Sequence, residues 1–197
     1  SKDGTEPDER TWLRDETGGS VYLRLSTRPL EQPKRDMTPE LAREICDGAY
    51  WMRRPGPNCE VVIAYTGALA PEAIAAAARI GQGRRDIGLL AITSADRLNA
   101  GWTAAQRARE RGVASARSLV ERLFADIPRH AAIVTAIDGH PATLAWLGSV
   151  HGHRTRSLGV EHFGQTGNLA ELYAHYGIDA DAMVRATNAM TAGRPLQ

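Results

Sequence analysis

Two cysteines, Cys46 and Cys59, are all that the 197 residues contain. That is too few for a disulfide framework, so reduced thiols of a cytoplasmic protein are the expectation. Charge of one sign is also missing. Lysine and arginine total 24 against 23 aspartate and glutamate, a formal net charge of +1, which excludes a strongly basic nucleic-acid binder. No apolar run approaches the roughly 20 residues that span a bilayer, so no membrane partner is expected. Aromatics make up only 6% of the chain, and low-complexity stretches do not occur on any large scale. The chain opens on Ser1 with a polar, aperiodic stretch from Lys2 to Arg10 and shows no charged-then-apolar leader. The expectation is a piece of a larger, non-secreted protein.

What the chain does contain is an alternation of strand and helix patterns over a hydrophobic content of 43%, enough for one substantial core. Ser20 to Ser26 alternates apolar and polar residues, as a half-buried strand does, and the prolines at 29 and 33 close it into a linker. Thr38-Pro39-Glu40 is a helix start, combining a capping oxygen, proline in the first turn and an acid near the positive end. That helix is predicted to reach Ile45. Ala49 to Met52 is a predicted strand, set antiparallel to its neighbour. The nearly continuous apolar runs Glu60–Tyr65, Ile87–Ile92 and Ala131–Ile137 predict strands covered on both faces, with a shorter one at Arg156–Val160.

Helices are predicted from Pro71 to Ile80, Thr103 to Arg111, Ser115 to Ala125 and Pro141 to Leu147. Two more follow, from the Asn168 capping box to His175 and from Ala180 to Met190. Thr93 to Gly101 reads as a polar turn. Strands alternating with helices imply right-handed crossovers. The expected fold is a three-layer α/β/α sandwich on a mostly parallel sheet of about five strands, one of them antiparallel.

Ligands of such sheets meet the loops beyond the carboxyl ends of the strands. Here those loops are Thr66–Ala68, Thr93–Arg97, Asp138-Gly139-His140 and His162–Gly167, where backbone N–H groups and helix dipoles could hold a small anion. The same residues are also what tight strand-to-helix turns require. His151-Gly152-His153, with His162 nearby, supplies three imidazoles, the number a catalytic zinc commonly uses. Gly152 argues that this segment is a loop with exposed histidines, and no metal site is expected. Ser26, Ser94 and Ser149 lack a nucleophile elbow, and neither cysteine sits beside an obvious base. Gly81 to Arg85 follows a helix instead of opening one, so it is a helix stop and not a phosphate loop. Asp96, Asp138 and Glu161 are isolated acids of the kind that cap turns. Trp51, Trp102, Trp146 and Tyr50 are explained by packing in a core or interface.

The order of segments carries a resemblance. Val21 to Pro29 looks like the last strand of the pyrimidine-binding domain of transketolase-like thiamine-diphosphate enzymes. Residues 38–190 resemble the carboxyl-terminal domain of that superfamily, most nearly in the homodimeric pyruvate dehydrogenase type. The motifs are Ala91-Ile-Thr-Ser-Ala-Asp-Arg-Leu98, Leu158-Gly-Val-Glu-His-Phe-Gly-Gln-Thr-Gly167 and Leu169-Ala-Glu-Leu-Tyr-Ala-His-Tyr-Gly-Ile-Asp179. The resemblance implies that residues 1–35 hold a disordered start, the last strand of the preceding domain and a linker, with the carboxyl-terminal domain at 36–197. It implies thiamine diphosphate and magnesium in the parent enzyme, but the chain lacks the Gly-Asp-Gly and paired-asparagine stretch that would bind them. No catalytic, cofactor-binding or metal residue is therefore expected in this chain. The implied partners are the rest of the parent subunit, a second subunit and the acyltransferase core of a dehydrogenase complex. Arg28 matches an arginine that meets the substrate phosphate in transketolase, and its fork geometry suits an anion. His140 is the second candidate for substrate binding. A transketolase or 2-oxobutyrate-type parent is the first alternative. A free-standing module binding a small anion is another.

Overall fold

A computed structural model describes residues 28–31, 33–83, 86–162 and 164–192. The predicted strand at Ser20–Ser26 lies outside the described residues. The chain runs α1 (Pro39–Asp47), β1 (Ala49–Arg53), β2 (Val61–Thr66), a 3₁₀ turn (Gly67–Leu69), α2 (Ala70–Gln82), β3 (Ile87–Ile92), α3 (Ala95–Glu110) and α4 (Leu119–Phe124). It continues through β4 (Ala132–Ala136), α5 (Ala142–Ala145), a second 3₁₀ turn (Trp146–Ser149), β5 (Thr155–Leu158), α6 (Leu169–Tyr176) and α7 (Ala180–Thr191).

The strands form one sheet in the order β1-β3-β2-β4-β5. β2 is parallel to β3 and β4, with Ile63 opposite Leu89 on one side and Val134 on the other. β5 is parallel to β4. β1 is antiparallel, as its sequence predicts, but it pairs with β3, Ala49 facing Ile92. Its neighbour in the chain, β2, lies one strand further in. The crossover through α2 returns the chain between β1 and β2, where β3 pairs parallel with β2.

Side chains of successive strand residues point to opposite faces, and two cores result. Val61, Ile63 and Tyr65 of β2 meet Ala73, Ala76 and Ile80 of α2 and Met183 of α7. Val62 and Ala64 face Leu98 of α3, Leu123 and Phe124 of α4, and Leu144 and Leu147 of the β4–β5 connection. Every residue of β3 and β4 is buried, which is why their sequences read as unbroken apolar runs. Gly88 makes room for Trp51, whose ring would lie 3.1 Å from a Cβ there.

Three helix starts are set by side-chain caps: Thr38 for α1, Ser94 for α3 and Asp179 for α7. Ser118 and Asn168 each form a full capping box, with Glu121 and Glu171. Thr93–Gly101, expected as a polar turn, is instead mostly helix. Ser94 Oγ accepts from the Arg97 amide and starts α3 there, and Gly101 sits within it where a side chain would meet nothing within 4 Å. α4 is shorter than predicted, beginning only at Leu119.

Candidate functional site

β2 and β4 are neighbours, yet the chain leaves them in opposite directions: through α2 to β3, and through α5 to β5. Their carboxyl ends thus diverge, leaving the crevice in which open α/β sheets place ligands. One wall is Thr66–Ala68, where Gly67 takes φ 47°. The other is Asp138-Gly139-His140.

Arg28 lies against the first wall of this crevice. Its Nη1 donates to the Ala68 carbonyl at 3.1 Å and to Glu72 Oε2 at 2.9 Å. The guanidinium carbon stands 5.7 Å from the centre of the Tyr173 ring, within cation–π range. The Tyr173 hydroxyl in turn donates to Asp138 Oδ2 at 3.4 Å. Glu72 lies in the first turn of α2, where the helix dipole favours a carboxylate. Electrostatics follow the contacts. The hydrogen bond to Glu72 is the largest influence on Arg28 and holds its pKa above the ordinary value. Burial, then the Asp138 charge, raises the Tyr173 hydroxyl. A cleft of about 550 Å³ continues from this point between α2, α6 and α7, lined by Pro71, Ala75, Leu169 and Ala170.

Of the two residues nominated from the sequence, Arg28 is at the crevice but turned onto a carboxylate. His140 is exposed at its mouth, and its Nδ1 accepts from the Ala142 amide at 3.2 Å, two residues along the chain. The structure brings Arg28 together with Glu72, Tyr173 and Asp138, a set the sequence reading did not assemble. Glu72 falls within the helix predicted from Pro71 to Ile80 and Tyr173 within the Leu169–Asp179 motif; nothing local signals that Arg28 reaches either.

The Thr93–Arg97 loop serves the fold. Thr93 Oγ1 donates to the Ile45 carbonyl at 2.6 Å and Arg97 to the Cys46 carbonyl at 3.0 Å, fastening the end of α1. In the His162–Gly167 loop, His162 and residues 164–167 are exposed. The expectation of exposed histidines at His151-Gly152-His153 is corrected for His153. Gly152 turns at φ 76°, His151 stays outside, and His153 is folded inward to 6% exposure with Nδ1 on the Ala131 carbonyl at 3.1 Å. Among the described residues no group of three or more His, Cys, Asp or Glu is arranged to hold a metal. No described helix is long and apolar enough to cross a membrane. Both cysteines are free, Cys46 exposed and Cys59 buried. Trp102 and Trp146 stack with ring centres 5.1 Å apart, and Trp51 lies in the core at 8% exposure, as packing roles require.

No protein-family model matches the sequence, and no curated protein matches it significantly. Solved structures do match the fold. Transketolase from Leishmania mexicana superposes with a TM-score of 0.55 at 18% identity, over 78% of this chain and 19% of that one. Transketolase from Pichia stipitis, in complex with a sedoheptulose phosphate, gives 0.53 at 14% identity over 76% of this chain and 19% of that one. The chain thus spans about a fifth of the length of the transketolases it matches. Its fold is the α/β fold of a transketolase carboxyl-terminal domain.

Proposed function

We propose that this chain is the carboxyl-terminal structural domain of a thiamine-diphosphate enzyme, packing against the rest of its subunit and contributing to a homodimer. The observation that carries the reading is the pair of coverages: most of this chain, but only about a fifth of each transketolase, takes part in the likeness. The crevice chemistry supports it. A magnesium diphosphate needs carboxylates turned outward to the metal and donors for its oxygens. Here Glu72 is turned onto Arg28 and Asp138 accepts from Tyr173, so these residues do not fit the cofactor. The cofactor and the chemistry belong to other parts of the parent enzyme, in a cytoplasmic setting.

For the parent activity we favour an acetyl-transferring pyruvate dehydrogenase, on the three motifs at Ala91–Leu98, Leu158–Gly167 and Leu169–Asp179. The acyltransferase core of such a complex is then a further partner, and His140 at the crevice mouth is the proposed substrate contact. A transketolase parent is the second reading, favoured by the structural likenesses. Calorimetric titration of thiamine diphosphate into the 197-residue chain is expected to give no heat; micromolar binding overturns the structural role. Assays of the whole enzyme on pyruvate and on xylulose phosphate separate the two parents.

A further inference from the structure

Three groups that meet the Arg28 guanidinium are acceptors or a π-face: a main-chain carbonyl from the turn after β2, a carboxylate from α2, and an aromatic ring from α6. A second carboxylate, Asp138, accepts from the hydroxyl of that ring. An anion would meet repulsion from both acids here. We propose that this is a guanidinium socket, which the chain fills with its own Arg28 and so latches the backbone at residue 28 onto the crevice.

The socket is built from fixed parts. Tyr173 is the one buried residue of α6, so its ring is held by the core and α6 hangs from it. Glu72 is fixed in the first turn of α2, and Ala68 in the 3₁₀ turn that leads into that helix. Both members of the ion pair are largely sheltered, with side-chain exposures of 24% for Arg28 and 16% for Glu72. Exposed pairs such as Arg43–Glu40, at 73% and 71%, lack that shelter, and screening leaves them little weight. The set selects for shape as well as charge. A planar guanidinium can lie over the tyrosine ring while one of its nitrogens serves the carbonyl and the carboxylate, whereas an ammonium supplies charge without the flat face. The adjoining cleft leaves a path by which a small alkyl guanidinium can enter once Arg28 is removed. The latch holds whatever enzyme the chain belongs to, and it turns Arg28 away from the anion-binding role that its resemblance suggests.

The test is chemical rescue on the full 197-residue chain. Arg28→Ala is expected to lower Tm by about 2–4 °C. Millimolar ethylguanidinium should restore at least half of that loss by binding the folded state, and ethylammonium at the same ionic strength should not. In Arg28→Ala/Glu72→Gln the rescue should vanish. Absent rescue, equal rescue by ethylammonium, or rescue that survives the second substitution each overturns the proposal. Should Arg28→Ala fail to fold, phenylglyoxal labelling of the wild-type chain, read by mass spectrometry, gives a second test. Arg28 should react several-fold more slowly than Arg43, and equal rates overturn the latch.

Discussion

His153 makes the acid stability of this domain predictable from one side chain. Its Nδ1 donates to the Ala131 carbonyl at the entry to β4, 3.1 Å away, and its ring stands edge-on to Phe124 with centres 6.1 Å apart. Nε2 is buried and has no hydrogen-bond partner. A proton added there would bring a charge and an unmatched donor into an apolar wall. Burial is the leading cause that lowers the His153 pKa; the nearby His151 and Arg129 charges add to it, and the Ala131 carbonyl opposes it. Since the folded value lies below the unfolded one of about 6.5, the unfolded chain binds the proton more readily. The stability linked to His153 is therefore complete above about pH 6.5. It is lost as pH falls from there toward the folded value, at up to about 1.4 kcal/mol per pH unit. For a domain of this size that is about 3–6 °C in Tm per unit. His153→Asn retains a donor for the Ala131 carbonyl and cannot titrate. Tm measured every half unit from pH 5 to 7.5 for both proteins should give a difference that shrinks toward acid pH, as only the wild type loses the stability linked to His153. A difference that stays constant across that range refutes the reasoning, whatever its size.

Thiol accessibility should separate the two cysteines completely. Burial raises the Cys59 thiol to about 11, so an aromatic disulfide reagent at pH 8 should titrate one thiol, Cys46, at once and the second only in denaturant. Gly159→Ala would set a Cβ 2.5 Å from the Gly139 carbonyl and 2.7 Å from the Pro141 nitrogen; both are backbone, so a loss of about 1–3 kcal/mol is expected in urea unfolding. Ser118→Ala removes a hydroxyl that accepts from the Glu121 amide and donates to its carboxylate. It should cost about 1 kcal/mol and loosen Glu121, whose Oε1 lies 2.8 Å from Arg109 Nη2, seen as faster hydrogen exchange in α4.

The layer order of this fold is legible from the chain because each central strand is buried on both faces. Ile87–Ile92 is the same span in sequence and structure, since a short unbroken apolar run of this length fits a strand covered on both faces. Boundaries slipped where a cap and a turn share residue types. Thr93-Ser94-Ala95-Asp96 fits either, and the Ser94 hydroxyl decides for helix only when the Arg97 amide is in reach. Strand partners were less accessible: that β1 belongs to β3 depends on where the α2 crossover lands. The same holds at the crevice. Arg28, Glu72, Asp138 and Tyr173 are distant in sequence, and only the packing of α6 and the β2–α2 turn brings them together. His153 was misjudged because Gly152 correctly signals a loop, but a loop glycine does not say which way the next ring turns.

The place of β1 beyond β3 has a consequence for the order in which the chain is made. Ala49–Arg53 is synthesised before the strand whose open edge it will cover, and it bears Tyr50 and Trp51. During vectorial synthesis those rings have no sheet to join until Ile92 has emerged. A chain shortened to begin after Arg54 would leave β3 as a bare edge of unpaired N–H and C=O groups flanked by Leu89 and Leu90, a template for strand addition by another copy. The late-docking strand is thus also the guard of the sheet.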